Sequence, residues 1–279
     1  MTWFKQCWSE FQQEGPTMGS RNEIRMDLTV WSRRNVFVGV AAALLLVGCS
    51  GAEGEASEPT GPTLPANAAV IVAASAAAMG DVTSVRFDLV HTGANVYIDQ
   101  FESIAIDRVL GEFTVPQSAQ AVLDVEVNDS LKTQLAAIAL GEEVWLSNPI
   151  TGEFETLPTG YDIDPSRFFD PEDGWRPLLN GLTDAELLGL EVRQGAERYH
   201  VRGTATKEQM KIITAGLVRN QDVALDFWIQ PVTGLVHSVE FSTNSINGSA
   251  GDEQVDWVLE LDQYGDEFTI VPPDEMKTG

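Results

Sequence analysis

From Val85 onward the chain alternates between apolar and polar residues in a series of short runs. Val85, Phe87 and Leu89 are separated by Arg86 and Asp88, and Ala121, Leu123, Val125 and Val127 by Asp124 and Glu126. Tyr199, Val201 and Gly203 enclose His200 and Arg202, and Leu225, Phe227 and Ile229 enclose Asp226. Leu235, His237, Val239 and Phe241 alternate with Ser238 and Glu240, and Val255, Trp257, Leu259 and Leu261 with Asp256 and Glu260. Side chains of a strand point to opposite faces in turn, so period two with one wet face predicts a largely antiparallel sheet covered on one side. Turn formers stand between the runs, at Asn128-Asp129-Ser130, at 148–152 and at 230–234. They predict hairpins.

Three stretches break this rhythm. Ala66 to Met79 is rich in Ala, lacks Gly and Pro, and stops at Gly80, which predicts a helix. Asp164 to Leu182 contains Asp-Pro steps and a cluster of bulky apolar residues, and Lys207 to Val218 reads as an amphipathic helix opened by Thr206. With no repeat and no second linker, residues 66–272 form one α+β domain, followed by a tail over 273–279.

The chain before this domain has a different character. Arg33 and Arg34 precede an apolar run from Val36 to Val47. Twelve helical residues rise about 18 Å, too little for a hydrocarbon core of about 30 Å but suited to an export signal. The run ends in Leu46-Val47-Gly48-Cys49, which resembles the lipobox of bacterial lipoprotein precursors. In such precursors the Cys thiol receives a diacylglyceryl group and the peptide before it is removed. Cys49 is therefore the expected lipid attachment, with 1–48 as signal peptide. Met18 and Met26 both precede the Arg pair, and a start at Met26 gives a signal of ordinary length, so 1–25 reads as a misassigned start. Residues 49–65 hold the Cys and a tether rich in Gly, Ser, Glu and Pro, with a root-mean-square reach of about 20–25 Å.

Charge narrows the classes further. Five of the 17 basic residues and four of the 42 acidic ones precede Cys49, leaving 12 and 38 after it, a net charge of −26. Such a body repels nucleic acid. The chain has two cysteines, Cys7 and Cys49. With the first removed and the second acylated, no thiol remains for a disulfide or a metal site. His91, His200 and His237 are scattered over different strands, which argues against a shared metal. His237, on an apolar face, reads as a hydrogen-bonded core histidine. The sequence shows no nucleophile elbow, phosphate loop or zinc-protease signature, so neither catalysis nor a cofactor is expected. Asp170 to Gly174 lacks the ligand spacing of a calcium loop and reads as a turn before a helix.

What stands out is apolar. Phe168, Phe169, Trp175, Leu178, Leu179 and Leu182 gather in the irregular segment, opposite the covered face of the sheet. A packed core under a helical lid and a lining for an apolar ligand both account for them.

Beyond the lipobox, the body carries Phe169-Asp170-Pro171 with Gly174 and Leu178-Leu179, then Tyr199-His200-Val201-Arg202-Gly203, then the run from Phe227 to Leu235 (FWIQPVTGL). This arrangement resembles the actinobacterial lipoproteins grouped as the LppX and LprA/F/G family, over roughly 66–272. The resemblance implies a strongly bent antiparallel half-barrel with helices on its concave side, enclosing an apolar cavity. It also implies a protein that binds the acyl chains of a lipid or glycolipid and carries it from the cytoplasmic membrane toward the outer envelope. A membrane lipid exporter would be its partner. The runner-up is an envelope sensor or interaction module on the same fold. Alternation assigns Phe87, Leu89, Leu123, Val125, Val201, Phe227, Ile229, Val239, Phe241, Trp257 and Leu259 to the cavity wall. Phe168, Phe169, Leu178 and Leu179 face them.

Overall fold

The computed structural model describes residues 67–98, 102–141, 143–157, 172–214, 216–218, 220–244 and 253–276, all within a compact unit spanning 56–279. The signal, Cys49, the tether, Phe168 and Phe169 lie outside the described residues. Helix α1 (Ala68–Gly80) begins at Asn67, whose side-chain carbonyl accepts from the amides of Ala69 at 3.0 Å and Val70 at 3.3 Å. That cap satisfies two of the donors that a helix start leaves unpaired. No residue of α1 is charged, and Ile71, Val72, Ala76 and Met79 are buried.

The strands are β1 (Ser84–Gly93), β2 (Val96–Tyr97), β3 (Ile104–Thr114), β4 (Ser118–Val127), β5 (Leu131–Leu140), β6 (Glu143–Ser147), β7 (Phe154–Thr156), β8 (Thr183–Arg193), β9 (Ala196–Ala205), β10 (Val223–Ile229), β11 (Val236–Asn244) and β12 (Gln254–Asp262). All belong to one antiparallel sheet in the order β7-β6-β5-β4-β3-β1-β12-β11-β10-β9-β8, with β2 paired to β3. Hairpins make each half, and the β1–β12 pairing joins them. The sheet curls into an open half-barrel with edges at β7 and β8.

Short helices α2 (Trp175–Asn180), α3 (Lys207–Ile213) and α4 (Pro273–Met276) complete the domain. The main core lies between α1, α2, α3 and the inner face of β9–β12. Residues 273–276, taken in the sequence as part of a tail, form α4. The helix expected over 207–218 is shorter. Its start is a reciprocal cap, with the Thr206 amide donating to the Gln209 side chain at 2.9 Å and the Gln209 amide to the Thr206 hydroxyl at 3.4 Å. It ends where Gly216, at φ +82°, donates back to the Lys211 carbonyl at 2.7 Å, a left-handed stop that favours glycine. No described helix is long and apolar enough to cross a membrane.

Candidate functional site: an apolar cavity in the half-barrel

The register of the β1–β6 half explains where the barrel is hollow. Phe87 pairs with Gly111, Gly111 with Ala121, Ala121 with Ala137 and Ala137 with Leu146. Three of the smallest residues thus stand side by side on β3, β4 and β5. The Phe87 ring lies over Gly111, where an added Cβ would come within 2.3 Å of it. Next to it, the methyls of Ala121 and Ala137 reach too little inward to meet the helices opposite.

The space left is a cavity of about 170 Å³. An apolar cavity of about 150 Å³ is enough to hold benzene, so this one takes a stretch of hydrocarbon. Its far wall is Trp175 at the start of α2, with Ile213 at the end of α3 and Leu217 just past it. Among the described lining residues, polar atoms come from the Trp175 indole N–H and the Thr214 hydroxyl. The hydroxyl donates to the Met210 carbonyl at 2.6 Å and accepts from the Val218 amide at 2.9 Å. It is therefore spent on its own turn, and the described lining is hydrocarbon apart from the Trp175 indole N–H.

The residues assigned by alternation divide into three groups. Phe87, Leu89, Leu123, Val239, Phe241 and Leu259 line the cavity. Val201, Phe227, Ile229 and Trp257 point inward as expected but are packed into the main core under α1 and α2, as are Leu178 and Leu179. Val125 belongs to a second, smaller cluster with Ile104, Ile106, Val127 and Leu135. Sequence reasoning missed Val109, Ala121, Ala137, Val144 and Leu146. A run of small residues at matched inward positions of adjacent strands was the available signal. Gly203 reads in the sequence as a small gap on the inner face, but its space is filled, since a Cβ there would meet Leu182 at 3.3 Å.

The histidines are not brought together: His91 is on β1, His200 on β9 and His237 on β11. Among the described residues no group of three or more His, Cys, Asp or Glu is arranged to hold a metal. His237 is hydrogen-bonded to the backbone of Leu261, as expected, but it is only half-buried and departs from the expectation of a core position. A register shift opposite Trp228 and Ile229 sets Val236 against Ile229, and His237 lies among the charges of Arg198, Glu260 and Asp262. Burial, then the Arg198 charge, lowers its pKa, and its Nε2 has no partner among the described residues.

The convex face carries a ladder of charges that clamps β8 to β10. His200 contacts Glu191 through Nδ1 and Asp226 through Nε2, each at 2.8 Å, and stacks on Trp228. The Trp228 indole donates to Glu191 at 2.9 Å, and Arg202 grips both oxygens of Asp226 at 2.9 Å. The Trp228 and His200 bonds hold the Glu191 carboxyl below its usual range. Burial pushes Asp226 up, but Arg202 and His200 outweigh it and its carboxyl is also lowered. A folded pKa below the unfolded one gives stability that is present above the unfolded value, about 4, and lost as pH falls through the folded one. Asp226→Asn is therefore expected to flatten the loss of stability below about pH 4 in denaturant titrations. An acid limb as steep as that of the parent protein would contradict this role for the ladder.

The family described as LppX_LprAFG lipoprotein matches residues 67–270. The lipoarabinomannan carrier protein LprG of Mycobacteroides abscessus is 25% identical over 214 residues, covering 75% of this chain and 83% of that protein. The crystal structure of LprF from Mycobacterium bovis aligns with a TM-score of 0.57 at 16% identity, over 76% of this chain and 99% of that one. The Mycobacterium tuberculosis lipoprotein LppX gives 0.51 at 17% identity, over 74% and 100%. At these identities the two structures speak for a common fold, the open curled sheet with few helices. With the match spanning nearly the whole described domain, the chain belongs to the LppX_LprAFG lipoprotein family.

Proposed function

We propose that this protein is a membrane-anchored lipoprotein that takes the acyl chains of a lipid into the half-barrel cavity and carries it outward through the envelope. The observation that carries the reading is the cavity itself, floored by Ala121 and Ala137 and lined, among the described residues, by apolar groups except for the Trp175 indole N–H and one hydroxyl already spent. Removing hydrocarbon from water is worth about 0.8 kcal/mol per methylene, so a chain filling this space gains several kcal/mol from burial alone. A relative named as a lipoarabinomannan carrier supports a lipid with a carbohydrate head group as the cargo. Cys49 supplies the diacylglyceryl anchor, the body stands on the outer side of the cytoplasmic membrane, and a membrane exporter is the partner. The chemistry is binding, and no residue is assigned to catalysis.

One variant tests the anchor and the ligand together. Cys49→Ser is expected to leave the membrane fraction, because the thioether cannot form. The released protein should still bind a fluorescent fatty acid one to one. Retention on the membrane with no unprocessed precursor present would overturn the anchor, and failure to saturate with the probe would overturn the cavity as a ligand site.

A further inference from the structure

One end of the half-barrel carries an apolar surface that the cavity does not use. Helix α1 crosses this end of the sheet. Its Met79 meets the amide of Val236 and the hydroxyl of Tyr264, its Ala74 carbonyl lies 3.2 Å from where a Cβ of Gly234 would stand, and α1 also packs on β8. The buried side of α1 is Ile71, Val72, Ser75, Ala76 and Met79. Its outward side is Ala69, Val70, Ala73 and Ala77, with no charge or hydrogen-bonding group. Large apolar side chains at the same end are open to solvent: Val70 is 43% exposed, Leu190 48% and Val192 72% at the end of β8, and Val232 56% in the β10–β11 turn. On the register, Leu190 opposes Tyr199, Tyr199 opposes Ile229 and Ile229 opposes Val236, so these positions close one row of the sheet. Exposed apolar residues gathered at one place mark a surface that meets something other than water.

We propose that this end docks on the surface of a lipid bilayer, with Val70, Leu190, Val192 and Val232 entering the head-group boundary. The inference rests on the reading of Cys49 as a lipid anchor. The chain between Cys49 and Asn67 is 17 residues long and joins the domain at the first turn of α1, beside Val70. The tether therefore attaches at this end of the molecule and keeps it within reach of the membrane. Charge works in the same direction. A body of net charge −26 is repelled by anionic head groups, which favours approach along the uncharged outward side of α1, with Glu197, opposite Val192, as an acidic residue at the margin of the patch. The tether then lets the body stand off the membrane and tip down onto α1.

The experiment uses the full-length acylated protein in phosphatidylcholine vesicles, with an environment-sensitive fluorophore on the thiol of Val192→Cys. Cys49 is acylated and Cys7 is removed with the signal, so the label is selective. The control is Ile150→Cys, in the β6–β7 turn at the opposite end of the strands, where Ile150 is 62% exposed. The label at 192 is expected to shift to the blue and lose quenching by aqueous iodide when vesicles are present, and the label at 150 to do neither. A vesicle-bound protein with both labels equally quenched would overturn docking while leaving the anchor standing. Protein that remains in the supernatant would overturn the anchor and the docking with it. Protection at 192 that rises with protein concentration and needs no vesicles would mean that a second copy covers the patch, and would also overturn the proposal.

Discussion

Ala137→Trp is expected to abolish lipid binding while leaving the lipid-free protein folded and close to its parent in stability. Ala137 stands in the middle of the cavity floor, flanked by Ala121 and Leu146 on the neighbouring strands. Inserting a large side chain into a packed core forces neighbours off their rotamers and costs about 1–3 kcal/mol. Inserting one where about 170 Å³ is already open meets no such neighbours, and the indole gains contacts that the empty floor lacked. The same indole occupies the space an acyl chain would need. A fall in thermal midpoint of the kind core overpacking gives, with lipid binding retained, would mean that the space beside Ala137 is not where the ligand lies.

The second large effect separates the solid side of the barrel from the hollow one. Phe227 is fully buried and pairs with Val201 and Val239 on either side. Phe227→Ala is expected to cost about 3–5 kcal/mol in chemical denaturation of the lipid-free protein. Phe87 also points inward, but its ring rests on Gly111 and faces the cavity. Fewer of its contacts are there to lose, so Phe87→Ala should cost clearly less. Equal losses at the two positions would show that the packing around Phe87 is as tight as around Phe227, and the distinction between core and cavity would fail.

Much of the architecture was legible because alternation is a local property. The runs through Val85, Leu123, Val201, Phe227, Val239 and Trp257 each form a strand with the expected inward face, and the Ala-rich run forms α1 with its stop near Gly80. Strand β8 was not legible. Register shifts between Thr183 and Glu186 and between Leu187 and Gly189 break its period, and as an edge it has little buried surface to enforce a pattern. His237 failed for the same reason, since a one-residue shift turns a side chain to the other face. The site was only partly legible because inward direction and cavity lining are different properties. Whether an inward residue meets a partner depends on what lies across from it. Leu182 fills the gap at Gly203, whereas no described residue fills the gap at Ala121 and Ala137. That difference is set by where α2 and α3 come to rest, which no single strand records. Leu178 and Leu179 illustrate it from the other side: they pack under α1 while Trp175, one turn earlier, reaches the cavity.

The claim that the cavity holds acyl chains is tested most directly by native mass spectrometry of the full-length protein released gently from the membranes of its own host, beside Ala137→Trp prepared in the same way. The account predicts a mass excess over the acylated polypeptide in the parent protein that collisional activation removes as an intact lipid, and no such excess in the variant. A parent protein that flies without lipid, or a variant that carries as much as the parent, would contradict it.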